Sequence, residues 1–279
     1  MIEIGKKNKL KIVKEVDFGI YLDGEDMGEV LLPLRYLPES YEIDDMLDVF
    51  IYLDSEDRII ATTEEPYAEA ESFAFLKVVD VNPIGAFLDW GLAKDLFVPF
   101  REQKEKMLKG KSYVVFIYID SSNRIAASSN LDRFADVDTS CFEDNQGVDL
   151  LICNQTDIGY KAVVNNSHLG VLYSNEIFQK IEIGDKLKGF IKKIRDDGKI
   201  DLCLERPGPA KVNDLSREIF NLLTKEEGFL SVTDKSPPEE IYSLFGVSKK
   251  TYKKAIGSLY KKRLINIEKD GIRLSKKPQ

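Results

Sequence analysis

Up to about residue 204, apolar positions fall in short runs of β-branched and aromatic residues broken by polar turn letters. Leu10-Lys-Ile-Val-Lys, Tyr113-Val-Val-Phe-Ile-Tyr-Ile and Leu187-Lys-Gly-Phe-Ile-Lys-Lys-Ile are such runs, and DSED, DSSN and RDDGK are such turns. This alternation predicts strands. After Glu205-Arg-Pro-Gly-Pro-Ala, which reads as a linker, the period changes from two to 3.6. Leu215, Ile219, Leu222 and Leu223 form the stripe of a first helix. Ser236-Pro-Pro-Glu239 reads as a capping box with proline at the first helical position, opening a second helix through Ile241, Leu244 and Phe245 to Gly246. Ser248 caps a third helix from Lys249 to about Arg263, and residues 264–275, LINIEKDGIRLS, read as two strands around a DG turn. Helix, helix, tight turn, helix and hairpin is the winged-helix arrangement.

The β part repeats itself. FIYLDSEDRIIATT at 50–63 returns as FIYIDSSNRIAASS at 116–129, 66 positions later. The same shift sets DFGIYLD (17–23) over PIGAFLD (83–89) and VLLPLR (30–35) over LFVPFR (96–101). A looser third copy holds DIGYKAV (157–163), GVLYSNE (170–176) and GFIKKIRDDGKIDLCL (189–204). Gly19, Gly85 and Gly159 anchor the three copies. A fixed period means repeated units. About five short strands per copy suits a small Greek-key barrel of the OB type. The repeated stretch becomes the hairpin of its last two strands, whose inward Val, Ile and Phe fill the barrel. The expected chain is therefore mainly β with a C-terminal α+β module. Its units are an OB barrel at 1–65, a second with a linker at 66–146, a third at 147–206 and a winged helix at 207–279.

The order of strand, [DP]-[FI]-G-x-[FYK]-[VLA], a third strand and such a hairpin resembles the S1 RNA-binding domain, over roughly residues 5–204. That resemblance implies that Phe18, Tyr21 and Pro33, then Ile84, Phe87 and Pro99, then Ile158, Lys161 and Tyr173 face nucleic acid. The chain departs from the pattern in carrying Pro, Pro and Tyr where the family commonly has His at the end of the third strand. The leading Phe stands only in the first copy. Three such copies followed by SPPEEIYSLFGVSKKTYKKAIGSLYKKRLI resemble, over essentially the whole chain, the bacterial conserved virulence factor B (YitL-like) family. This implies an RNA-binding protein of the cytoplasm that regulates gene expression, without catalysis or cofactor.

Charge refines where a polyanion would bind. The net charge is −8, which by itself argues against a nucleic-acid partner, but it is graded along the chain. Residues 1–66 carry seven basic against seventeen acidic residues, and 67–146 carry nine against thirteen. Residues 147–206 balance at nine and nine, whereas 207–279 carry fifteen against nine. Phosphate contacts dominate polynucleotide affinity, and a stacked base adds about 1–3 kcal/mol. The third barrel is therefore the preferred RNA-binding copy. Lys161, Lys186, Lys188, Lys192, Lys193 and Lys199 gather on it, with Tyr160 and Tyr173 as stacking faces. On the third helix Tyr252, Ala255, Ile256 and Leu259 face the core. Lys249, Lys250, Lys253, Lys254 and Lys261 fan over another side, and no acidic residue intervenes between 249 and 263. Arg263, Lys269 and Arg273 add candidate wing contacts. Base-reading Arg, Asn and Gln are missing from the first two turns, which favours phosphate gripping over sequence readout.

Other chemistry finds little support. Cys141, Cys153 and Cys203 lack CxxC spacing, His168 is the sole histidine, and Asp44, Asp45 and Asp48 have no partner pattern. No apolar run approaches a membrane span, and the opening MIEIGKKNKLKIV has no signal-peptide block, so a cytoplasmic protein is expected. The leading expectation is an RNA-binding regulator gripping single-stranded RNA with the third barrel and the winged helix. Two alternatives remain: a DNA-binding transcription regulator using the winged helix, and an adaptor whose acidic N-terminal barrels meet a basic protein.

Overall fold

The computed structural model describes residues 1–177, 179–206, 209–226 and 228–275. It forms two compact units, Met1–Asp136 and Val137–Gln279. The first unit holds two closed five-stranded barrels. Barrel one is built from β1 (Lys7–Val16), β2 (Gly19–Asp23), β3 (Glu29–Pro33), β4 (Met46–Leu53) and β5 (Ile59–Thr62), joined in the order β1-β2-β3-β5-β4. Barrel two repeats that plan with β6 (Ser72–Asn82), β7 (Gly85–Asp89), β8 (Leu96–Pro99), β9 (Ser112–Ile119) and β10 (Ile125–Ser128). The second unit opens with barrel three, from β11 (Gly147–Thr156), β12 (Gly159–Val164), β13 (His168–Tyr173), β14 (Lys186–Ile194) and β15 (Ile200–Cys203).

The anchor glycines have one physical cause. Each starts the second strand of its barrel opposite the last residue of the third, in the pairs Gly19–Pro33, Gly85–Pro99 and Gly159–Tyr173. A Cβ at these positions would lie 2.2 Å from the Leu32 carbonyl oxygen, 2.3 Å from that of Val98 and 2.0 Å from that of Leu172. Gly19 and Gly159 also sit at φ of +155° and +152°, where side chains are strained. Only glycine lets the neighbouring strand come this close.

The repeated hairpins differ from expectation in one respect. In β4 the inward set is Val49, Ile51 and Leu53, with Ala61 of β5. Phe50 and Tyr52 point outward, as the two-residue period requires. They are nevertheless buried, because they join the core of barrel two, where the Phe50 ring meets Trp90 edge-on at 5.7 Å. In β9 the matching Phe116 and Tyr118 stack on Phe134, at 4.6 and 5.3 Å. Each FIY therefore seals a barrel with its isoleucine and glues the outside with its rings. Lys6–Glu71, Lys7–Glu65 and Arg124–Asp57 ion pairs, with an Ala70 N–H to Gly5 carbonyl bond of 2.7 Å, complete the join between barrels one and two.

After barrel three, the Pro207-Gly208 part of the expected linker lies outside the described residues. Pro209 already opens helix α1 (Pro209–Lys225). Then follow β16 (Phe229–Leu230), α2 (Pro238–Phe245), α3 (Lys249–Lys261), β17 (Ile265–Ile267) and β18 (Ile272–Leu274). Strand β16, too short to leave a periodic signal, pairs with β18 and makes the wing a three-stranded sheet. The capping box at Ser236 does not form. Its hydroxyl accepts from the Thr233 N–H, which shifts the α2 cap to Pro237 and leaves Pro238 at the first helical position. Leu244 is exposed, while Ile241 and Phe245 fill the core with Leu215, Ile219 and Tyr252. Ser248 caps α3 by accepting from the Thr251 N–H at 3.2 Å. Its far end closes with Arg263 at φ +56°, the Arg263 N–H on the Tyr260 carbonyl and the Leu264 N–H on the Leu259 carbonyl. This left-handed position usually belongs to glycine.

Trp90 is the single tryptophan and reports on the joined barrels. Phe50→Ala, which empties the shared core, is expected to cost about 3–5 kcal/mol in a urea titration followed by Trp90 fluorescence. Phe18→Ala, at a ring 55% exposed, should stay within about 0.5 kcal/mol. Equal losses for the two would contradict the assignment of inner and outer rings.

Candidate nucleic-acid interface

The glycine register decides which neighbouring side chains face outward. The residue after each glycine turns in: Ile20 and Ala86 are fully buried, and Tyr160 packs against the core of barrel three. Tyr160 is thus a wall of the barrel and not the free stacking face expected of it. The next residue turns out, placing Tyr21, Phe87 and Lys161 at equivalent outer positions on their barrels.

On barrel one, Phe18 meets Tyr21 edge-on at 6.3 Å, and the Lys14 ammonium sits 4.7 Å from the Tyr21 ring centre. Lys14 is also ion-paired with Glu29. On barrel two, Phe87 lies 5.2 Å from Phe97 at a cleft of about 540 Å³ that also takes in Ile84, Pro99, Arg101 and Tyr118. Two further cations on its wall are engaged by barrel one: Lys94 donates to the Asp54 carbonyl at 2.6 Å, and Arg124 donates to Asp57 at 2.6 Å. These cations join barrels; Arg101 is largely exposed, with the Glu102 carboxylate 4.0 Å away.

On barrel three the expected lysine cluster separates into pairs. Lys188 and Asp149 bridge the β11–β14 seam. At the other end of β14, Lys192 bonds Glu176 at 2.6 Å while standing 5.6 Å from the Tyr173 ring centre. The Tyr173 hydroxyl donates to Asp201 at 3.1 Å and accepts from Arg195, which itself pairs with Asp201 at 2.9 Å. Lys199 pairs with Asp197 at 3.0 Å, and its side chain and backbone N–H hold that carboxyl below the usual carboxylate range. Lys193 is exposed beside Lys192, and Ile158 is exposed at the turn. The exposed Lys188–Asp149 and Lys199–Asp197 pairs contribute at most about 1 kcal/mol, whereas Lys192–Glu176 is half-buried. The barrel as a whole is nonetheless balanced in charge, and Tyr173 with Lys192 forms a ring–cation pair on it. The outlying Lys188 belongs to another edge.

Helix α3 is different. Lys249, Lys250, Lys253, Lys254 and Lys261 spread over about 140° of its surface at roughly 100° per residue, opposite the buried Tyr252, Ala255, Ile256 and Leu259. Lys253 lies 3.5 Å from Asp234. Among the described residues Lys249, Lys250, Lys254 and Lys261 have no acidic partner. Lys249 and Lys250 occupy the first turn, where the helix dipole is positive and an acid would stabilise the helix. Their charge adds to that of the unpaired N–H groups, an arrangement that attracts anions. Tyr260, 55% exposed, falls on the same face between Lys249 and Lys253. Helical spacing alone reveals it, seven residues after Lys253, although a search for lysines passes it by. Two candidate wing cations differ: Arg273 is tied to Glu268 at 3.2 Å and packs on Phe229, while Lys269 is exposed. The tyrosine of α2 faces barrel three, the Tyr242 hydroxyl donating to Gln179 at 2.9 Å.

The first two barrels and the last module match known domain families. The S1 domain model matches residues 4–64 and 73–130, and the CvfB-like winged helix domain model matches 217–274. The uncharacterized protein YitL of Bacillus subtilis is 28% identical over 92% of this chain and 89% of its own length. The conserved virulence factor B of Staphylococcus epidermidis is 26% identical over 86% of this chain and 83% of its own. Among solved structures, a multidomain protein with nucleic acid binding domains from Streptococcus pneumoniae is 23% identical, covers 97% of this chain and 98% of that one, and has a TM-score of 0.42. S1 and winged-helix domains are nucleic-acid-binding modules, non-enzymatic in kind. No helix among the described residues is long and apolar enough to cross a membrane.

The inward placement of Tyr160 has a measurable consequence. Tyr160→Ala is expected to lower the melting temperature of the full chain, by an amount equivalent to about 2 kcal/mol, whereas Lys161→Ala, at the outer position, should leave it within a degree or so. Identical melting of the two variants would show that Tyr160 does not support the barrel.

Proposed function

We propose that this chain, with two S1-matching barrels, a third barrel and a CvfB-like winged helix, and with relatives named YitL and conserved virulence factor B, is an RNA-binding regulatory protein of that family. It grips single-stranded RNA with the winged helix and the third barrel. The observation that carries this reading is the face of α3: four lysines without acidic partners among the described residues, two of them at the helix's positive end. Barrel three contributes Lys161, Lys193 and the Tyr173–Lys192 pair as a secondary contact. Lysine holds phosphate without reading bases, and the base-reading residue types are lacking from the first turns of α3. Both features suit a clamp on flexible RNA better than readout of duplex DNA.

The acidic unit supports a second role. On barrel one Lys6, Lys7, Lys11, Lys14 and Arg58 are all engaged by carboxylates, leaving its excess of acids to face outward. Such a surface repels a phosphate backbone and suits a basic protein partner.

Filter binding at several salt concentrations tests the main reading. The full chain should prefer single-stranded RNA to duplex DNA. The logarithm of affinity should fall with that of salt at a slope of about −2 to −3, as three or four neutralised phosphates require. Lys250→Glu with Lys254→Glu should weaken RNA binding by about tenfold or more, since phosphate contacts dominate affinity. Tighter duplex binding, or an indifferent double variant, would remove the proposal. Ultraviolet crosslinking of the full chain to RNA should label peptides of Val137–Gln279; labels concentrated in Met1–Asp136 would reverse the division of labour between the units.

A further inference from the structure

Gly257 sits in the middle of α3, where glycine is the poorest ordinary helix former. Packing does not explain it: a Cβ built there meets nothing within 4 Å. Around the axis Gly257 falls between Lys250 and Lys253, and along it between Lys254 and Lys261, at the centre of the basic face. Alanine would fit and would strengthen the helix. Arg263 poses the same puzzle at the helix end, a charged side chain held at φ +56° where glycine is unstrained. Twice, then, the residue present is less favourable to the helix than an obvious alternative, and Gly257 lies at the centre of the lysine face. Gly257 bares the helix backbone there.

A missing side chain flanked by cations admits something that must approach closely. A phosphodiester strand fits: its charged groups are met on either side by Lys250, Lys254 and Lys261, a stripe about 17 Å long. Exposed Tyr260, one turn further on, offers a ring of the kind that stacks on an unpaired base. We propose that a single strand of RNA crosses α3 at Gly257 in contact with the helix backbone, its phosphates held by Lys250, Lys254 and Lys261 and one base stacked on Tyr260. This deepens the RNA-binding reading and rests on it. Gly257 and Tyr260 are the positioning elements, because charge alone would tolerate any side chain at 257 and would ignore the ring at 260.

The test uses the full chain, a short mixed-sequence single-stranded RNA carrying a fluorescent label, and thermal melts in parallel. Gly257→Ala should raise the melting temperature yet weaken RNA binding several-fold. Gly257→Gln, longer and still a good helix former, should weaken it further without loss of stability. Tyr260→Ala should cost roughly five- to a hundredfold in affinity, while Tyr260→Phe, which keeps the ring, should bind like the parent. A merely structural glycine would show the opposite coupling, with stability and binding falling together, and that result would overturn the proposal. So would parental affinity in both Gly257→Gln and Tyr260→Ala. If the parent binds RNA and Lys250→Glu/Lys254→Glu does not, such a result leaves the functional reading standing and removes only the crossing at Gly257. If the parent chain does not bind RNA, both fall.

Discussion

The close approach of the third strand's carbonyl to a bare glycine Cα is the constraint on which each barrel depends. Leu32, Val98 and Leu172 present that oxygen to Gly19, Gly85 and Gly159 at distances no side chain could share. The contact sets the register of the second and third strands, and register sets everything on the surface. With the glycine fixed, the next residue must turn in and the one after it must turn out. The ring of Tyr21, the ring of Phe87 and the ammonium of Lys161 occupy one equivalent outer position because three oxygens press on three glycines.

A second device uses both faces of one strand. In β4 the inward Val49, Ile51 and Leu53 close barrel one, and the outward Phe50 and Tyr52 enter the core of barrel two. A strand buried on both sides loses the polar–apolar alternation expected of a solvated barrel, which is why FIYL reads as a continuous apolar run. The tandem barrels thereby share a core, with Arg124–Asp57 and Lys94–Asp54 contacts at its rim. The cations that line the cleft beside Phe87 are largely consumed in this way. Architecture and polyanion binding compete there for the same side chains, and architecture takes most of them.

The barrels, their number and the helices of the last module were legible because period and repetition are properties of the letters. Tyr160 shows where that legibility ended. Its ring looked available for stacking, yet its place directly after Gly159, like Ile20 after Gly19, assigns it to the core. That information was in the sequence once the copies were aligned on glycine. The lysines of barrel three failed for another reason. Lys188 and Lys192 are four apart on one strand, but their partners come from elsewhere, Asp149 from β11 and Glu176 from the short turn after β13. Ion pairs across strands depend on sheet register, which a local count of charge does not carry. The Ser236 cap failed because a hydroxyl has competing acceptor roles, and the Thr233 N–H claimed it. On α3 a local count succeeded, since helical neighbours are sequence neighbours and no acid interrupts Lys249–Arg263.

That contrast bears on where binding energy resides. A cation already bonded to a carboxylate contributes to a phosphate contact only the difference between two pairings, and for exposed groups that difference is small. A cation with no carboxylate contributes its counterion release in full. Barrel three, balanced at nine and nine, adds little net attraction for a polyanion. Helix α3 supplies attraction, and it does so at the helix's expense, with lysines at its positive end and a glycine at its centre. A face kept merely for solubility would be served as well by mixed charges and alanine. Uncompensated charge, a bared backbone and an exposed ring instead lie together on one side of one helix.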